Sequence, residues 1–430
     1  MTQTRGADIS SDRYPVARDH ARNRVWLIPA LMAFGALVLG VTLTRWDVLH
    51  RSIGGFGYLG DVSSAQTTMA TIAAAMLTFM GLVFTITVVA LQLASGQFSP
   101  RVLRTFQRDR RTQLVLGTFM ATFVFSLAGI AELGEARADA APILMTVAFV
   151  MVGASLVAFV GYLQHITTSL RAVHIIEAVA VETRRVIDGC YPADGGGKGS
   201  VGVDPPPDRA TEIVGAPSSG VIAAVDLGRL VRRARAADVV VRVLQPVGTY
   251  LAQGAPLLEV SGTQLGDLRR LVATVDLAVA RTMFQDVEFG LRQLVDIAER
   301  ALSPAVNDPT TAVQALDRIG DLLRRIVVRP DPSEQFVDSE GVVRVQWIPP
   351  SWDALVTLSF AEIAWFGRES IQLTRRLEAT ITELLELAPE SRRPALLREQ
   401  RRLADYVELA VPLSYRAEAL TADHLGLGTN

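Results

Sequence analysis

The chain has 430 residues, half of them hydrophobic, and a formal net charge of −2, so overall charge points to no nucleic-acid partner. A mean hydropathy of +0.29 is high for a soluble protein. One cysteine, Cys190, excludes an intrachain disulfide and a thiolate metal cluster, and one lysine, Lys198, nearly excludes Schiff-base, lipoyl or Walker-type lysine chemistry.

Residues 1–20 are polar and aperiodic and read as a flexible tail. Residues 25–44 form a charge-free run with Pro29 in its first turn, a predicted transmembrane helix. Four glycines, Gly54, Gly55, Gly57 and Gly60, mark the loop after it. From Val62 to Pro100 there is again no charge, and the span is predicted at about residues 66–95. Within it Thr71, Thr78, Thr85 and Gln92 recur every seven residues, close to two helical turns, and form a slowly drifting polar stripe. Such a stripe either packs on other helices or lines a wet path, which needs no buried charge. Further spans are predicted at 112–131 and 141–164.

Arginine sets the orientation. Five arginines lie in the N-terminal tail and five more, Arg101, Arg104, Arg108, Arg110 and Arg111, follow the second span; the two alternate loops hold two and one. The positive-inside rule places both termini and this basic collar in the cytosol. Topology and anionic headgroups account for the collar without a ligand.

Residues 189–210 are rich in glycine and proline and read as a linker. Residues 211–262 read as a small β module: GVIAAVD and VVVRVLQ as strands, a basic helix Leu227–Ala237 between them, and a last strand at Leu257–Val260. Its turn pattern resembles barrel-sandwich domains of the lipoyl type, but without their lysine it reads as structural. Residues 263–425 read as helical. Apolar residues at steps of three or four from Leu268 to Leu302 predict one long helix over Thr263–Leu302. Asp308-Pro309 predicts a cap and first turn for a helix to about Val327, and Gln335–Asp338 with Val342–Trp347 a hairpin. Ser351 is predicted to cap a second long helix whose seam, Trp352 to Leu387, resembles a coiled coil that either self-associates or closes within one chain. Pro389 ends it, and a last helix runs from Arg392 to Ala410.

Chemistry is sparse. The five histidines are scattered and no HExxH spacing occurs, so neither metal nor cofactor is expected. Gly195–Ser200 lacks the first glycine and the preceding strand of a phosphate loop. No catalytic constellation converges, and no enzyme is expected. The most motif-like soluble stretch is ERALSPAVNDPTTA, where Ser303, Asn307 and Asp308 mark either a ligand corner at a helix N-terminus or a tight turn between helices. Asp296 and Glu299 are three apart and within four residues of Arg292 and Arg300, the spacing of helix-surface ion pairs.

Two phrases, TMATIAAAMLTFMGLVFTITVVALQLASGQFSPRVLR and DVEFGLRQLVDIAERALSPAVNDPTTAVQALDRI, are similar to the signature stretches of a bacterial family of predicted integral membrane proteins, domain of unknown function 2254. The resemblance covers about residues 20–410. It implies a multi-span inner-membrane protein with a cytosolic C-terminal region, and brings no activity, cofactor or site residue.

The expected architecture is thus an α-helical membrane protein: four transmembrane helices, then a cytosolic α+β region with a small β module and long helices. The expected partners are the lipid bilayer and further copies of the chain. The expected function is an oligomeric channel or passive conduit with a cytosolic vestibule, or else a membrane-anchored sensor or scaffold.

Overall fold

The computed structural model describes residues 27–45, 61–97, 110–133, 140–169, 171–191, 210–262 and 268–424. The tail at 1–20, most of the 189–210 linker, and Arg101, Arg104 and Arg108 lie outside them. The described residues divide into two compact units, one up to His174 and one from Ile175 onward.

The first unit is four helices: α1 Leu27–Arg45, α2 Val62–Gln97, α3 Arg110–Glu132 and α4 Ala141–Ser169. Three are long and apolar enough to cross a membrane, within Val62–Gln92, Arg111–Glu132 and Ala141–Thr168; the apolar part of α1, Leu27–Leu43, is shorter. Half of the α3 window is buried against 22% in α2 and α4, because α3 packs on all three of the others. Small residues let α1 approach it: a Cβ on Gly117 would stand 2.5 Å from the Met32 sulfur, and one on Gly40 would stand 2.9 Å from the Ala128 Cβ.

Among the described residues aromatic rings fill the middle of the bundle, and its buried side-chain polar atoms have partners. Phe79, Phe119 and Phe159 meet with centroids 5.2 to 6.4 Å apart, joining α2, α3 and α4. The buried Thr122 and Ser155 hydroxyls bond at 3.0 Å between α3 and α4. The buried Tyr162 hydroxyl meets Thr87 Oγ1 at 2.7 Å and the Val83 carbonyl at 3.2 Å, tying α4 to α2. In hydrocarbon such bonds contribute about 0.6 kcal/mol each.

In the second unit α5 Ala172–Cys190 comes first. A five-stranded sheet follows, in the order β1-β5-β3-β8-β7, with a three-stranded sheet β4-β2-β6. The strands are β1 Ala210–Gly215, β2 Gly220–Val225, β3 Val239–Val243, β4 Tyr250–Leu251, β5 Pro256–Gly262, β6 Val275–Ala278, β7 Gln335–Val337 and β8 Val343–Gln346. Neighbours are antiparallel except β3 and β8. Helix α6, Leu227–Ala236, bridges β2 and β3, capped by Asp226 on the Arg229 amide at 2.8 Å. The core is the aliphatic set Ile222, Leu230, Val241, Leu257, Leu258, Val260 and Val345, all fully buried.

Two expected helices are corrected. Leu268 to Leu302 is not one helix but α7 Leu268–Val272, strand β6, and α8 Val287–Ala301. Val275 and Leu277 pair with Val225 and Ile222 of β2; standing two residues apart they lie on one face of a strand, and the β-branched Val275 suits it. Asp286 restarts the helix by accepting the Phe289 amide at 2.8 Å. The second long helix splits into α10 Trp352–Gly367 and α11 Ile371–Leu387, with the Ser370 hydroxyl capping α11. A Cβ on Gly367 would fall 2.0 Å from Leu373, so this bend is where the two helices close on each other.

The seam therefore folds back within the chain. Val356, Ile363, Leu373 and Leu377 are fully buried and Leu384 is 2% exposed, so most of the seam is intrachain core, while Phe366 and Leu387 remain exposed. Helix α9 Pro309–Val327 packs between α8 and α11, and α12 Arg393–Ala410 and the short α13 Arg416–Ala419 complete the layer. Helix α5 is lashed to α9 by Arg184–Asp321 at 2.6 Å, Arg318–Glu177 at 2.7 Å and Arg325–Asp188 at 2.7 Å.

Candidate functional site

Helix α2 has two unlike faces. Ala65, Met69, Ile72, Met76 and Val83 are buried against α3 and α4. Thr71, Thr78, Thr85 and Gln92 all lie on the opposite, exposed face, together with Ala70, Ala74 and Gly81. Nothing stands within 4 Å of where a Cβ on Gly81 would be. The stripe thus points away from the chain's own bundle.

Three of its members are satisfied inside the helix. The Thr71, Thr78 and Thr85 hydroxyls donate to the carbonyls of Thr67, Ala74 and Gly81, at 2.9, 3.0 and 2.9 Å. This back-bonding leaves each oxygen a free acceptor lone pair toward the outside. The Gln92 amide has no hydrogen-bond partner among the described residues. The face therefore offers acceptor oxygens, small side chains and one unused carboxamide, interleaved with exposed Leu77, Leu82, Phe84, Val88 and Val89, a surface suited to a closely packed helix, to lipid or to a partly wet path.

Of the basic collar, Arg110 opens α3 and Arg111 is exposed, its Nη1 3.4 Å from His165 Nδ1 at the end of α4.

The Ser303–Asp308 corner joins α8 to α9. Asn307 has φ +48°, an αL position that asparagine tolerates, and its side chain is exposed. Asp308 caps α9, accepting the Thr311 amide at 3.1 Å and its hydroxyl at 2.6 Å, while Ser303 Oγ donates to the Arg300 carbonyl at 2.7 Å. The Asp308 amide reaches back to the Ala301 carbonyl at 2.8 Å. Local bonds thus account for the residue types of this corner.

One cluster was only half visible in the sequence. Arg292 of α8 binds Asp296 at 2.6 Å and Glu299 at 3.3 Å on its own helix, and Glu362 of α10 at 2.6 Å. Glu362 is 70 positions away, and no local spacing signals it. Three carboxylates share one guanidinium. Burial, followed by a hydrogen bond to Glu362, pushes the Glu299 carboxyl up to about 8, whereas the bonds from Glu299 and Arg292 hold Glu362 below the usual range. The pair therefore holds one proton between them near neutrality. A carboxyl raised on folding binds its proton more tightly in the native state. Its stabilising contribution is thus complete below about pH 4.5 and lost as pH rises to about 8. Glu299→Gln should flatten that fall; melting temperature of both proteins across pH 5 to 9 checks it, and parallel curves contradict it.

Among the described residues no group of three or more histidine, cysteine or carboxylate side chains is placed to hold a metal ion. Cys190 is largely buried, and burial with the nearby Asp286 charge pushes its thiol up to about 11, so it is no activated nucleophile.

Comparison with known proteins adds a family. A family model described as "Predicted membrane protein (DUF2254)" matches residues 22–383. The chain is 31% identical over 422 residues to an uncharacterized protein of Mycobacterium bovis, Mb1321c, and to one of Mycobacterium tuberculosis, Rv1290c. Each alignment covers 93% of this chain and 81% of the relative. No solved structure matches the chain significantly.

Proposed function

The chain belongs to the DUF2254 family of predicted membrane proteins, and from that premise we propose that it is a homo-oligomeric channel or passive conduit of the bacterial inner membrane. The observation that carries this reading is the outward polar face of α2, Thr71 to Gln92, on a bundle whose own interior is closed by Phe79, Phe119 and Phe159. A single chain offers no path through its middle. Several copies with their α2 faces turned inward would enclose hydroxyl acceptors, small residues and Gln92, a lining that passes solutes without fixed charge.

In this reading α1 is a fourth span. Its 19 residues make a helix of about 29 Å, near the thickness of the hydrocarbon core. Both termini are cytosolic, because the arginines of the tail and of the 101–111 segment outnumber those of the alternate loops. The second unit then forms the cytosolic vestibule or gate. No catalysis is assigned to it.

Purified protein in liposomes tests this. Solute or ion flux is expected, and Thr78→Val with Thr85→Val, which keeps shape and removes both hydroxyls, should change it several-fold. Absence of flux under every gating condition tried would overturn the conduit.

A second reading has its own observation. Because Thr71, Thr78 and Thr85 each bond their own helix, the stripe can face lipid at little cost. The spans then anchor a cytosolic sensor or scaffold, and the double valine variant behaves as the parent does.

A further inference from the structure

The outer face of α6 is arginine. The helix buries Leu230 and Ala234 in the β-module core, with Leu227 and Val231 packed against that core. At 100° per residue Arg229, Arg232 and Ala236 fall on the opposite side, with Arg233 and Arg235 on the flanks. Helix α7 adds Arg269 and Arg270, both exposed. The Arg233 guanidinium donates to the Arg270 carbonyl, which holds the two basic helices side by side.

Six arginines thus project from two helices that contain no acid. The acids that adjoin α6 are Asp226, 3.3 Å from Arg229, Glu340, 2.6 Å from Arg235, and Asp276, whose charge interacts with Arg229, while Arg269 and Arg270 have further partners of their own. Asp238, just past α6, shares Arg344 with Asp338 and so adds a fourth negative charge at that end. Arg232 has no ion-pair partner among the described residues. This positive excess stands out in a chain whose formal net charge is −2.

Guanidinium groups bind phosphate oxygens in a forked geometry that lysine does not offer. The chain also carries its own phosphate surface. Its apolar helices fix it to a bilayer, so headgroups meet the second unit at a high effective concentration that a free polyanion would not reach. We propose that the α6–α7 arginine face docks on anionic phospholipid headgroups of the membrane in which the protein sits.

The full chain in lipid nanodiscs provides the test. Ala236→Cys places a fluorophore on the arginine face, and the buried Cys190 leaves that position the reactive thiol; the parent chain is the labelling control. A quencher attached to lipid headgroups reports contact. Discs with about a third phosphatidylglycerol should quench the probe several-fold more than phosphatidylcholine discs. The difference should vanish near 0.5 M salt, where screening lengths shrink to a few ångströms (on the order of 4 Å). The double variant Arg229→Gln with Arg232→Gln, which leaves the Arg233–Arg270 contact in place, should lose it at unchanged melting temperature, by roughly fivefold in contact per arginine. Equal quenching in both disc types overturns the proposal, as does quenching that the double variant keeps. Binding of an RNA duplex in phosphatidylcholine discs, with no response to anionic lipid, overturns it too and reassigns the face to nucleic acid.

Discussion

Gly290→Val is expected to cost about 3 kcal/mol or more and to lower the melting temperature of the second unit by roughly 10 °C. Gly290 sits in α8 where that helix crosses α5. A Cβ there would stand 2.2 Å from Thr183 Oγ1 and 2.5 Å from its Cγ2. Thr183 cannot swing aside cheaply, because it is fully buried and its hydroxyl is bonded to the Val179 carbonyl at 2.7 Å. A β-branched side chain also has few rotamers in a helix. The two helices must therefore separate, and the α5–α9 ion pairs would have to move with them. Gly290→Ala with Thr183→Ala takes away the two nearest atoms and adds a better helix former but leaves the position-183 Cβ 2.8 Å away, so it should recover only part of the loss. Thermal unfolding of the single and double variants checks this; equal damage in both would place the cause elsewhere.

Arg281→Ala is expected to cost about 3 kcal/mol through a different mechanism. Asp286 is 3% exposed. Its carboxylate takes Arg281 Nε and Nη2 at 2.8 Å each, and it caps α8 at the Phe289 amide at 2.8 Å. Removing the guanidinium strands a buried charge, and the nearby Glu288, already pushed above the usual range by burial and by Asp286, adds repulsion. Removing the carboxylate as well should relieve the strain, so Asp286→Asn on top of Arg281→Ala should recover part of the deficit. Gly248 belongs to the same arrangement: it has φ +90°, and a Cβ there would lie 2.5 Å from both Arg281 Nη2 and Asp286 Oδ2. Urea titrations of the single and double variants at pH 7 measure the effect; a deficit that the double variant keeps in full would contradict the buried-charge account.

The sequence exposed what local chemistry decides. Asp308-Pro309, Ser351 and the strand–helix–strand from Gly220 to Val243 act through neighbours three or four residues away, and the structure has them where their residue types point. What stayed hidden depends on distant partners. Val275–Ala278 becomes a strand because β2 lies 50 positions earlier with an open edge, whereas its own spacing fits a helix. The bend at Gly367 follows from packing of Leu373 against it, and turns an apparent intermolecular seam into an intrachain core. Glu362 reaches Arg292 only through the crossing of α8 and α10. For α2 the seven-residue period revealed that a stripe exists. Which way it faces follows from the opposite, methionine-rich side, Met69 and Met76, filling the bundle.

That outward direction makes the wetness of the α2 face the central claim, and cysteine accessibility reads it directly. With Thr71, Thr78 and Thr85 replaced one at a time by cysteine in reconstituted membranes, a charged, water-soluble methanethiosulfonate should label all three, while cysteines at the inward positions Met76 and Val83 stay unlabelled. Cysteines at 78 and 85 that stay as unreactive as those at 76 and 83 would contradict a water-lined path and leave the stripe in lipid or in a dry helix contact.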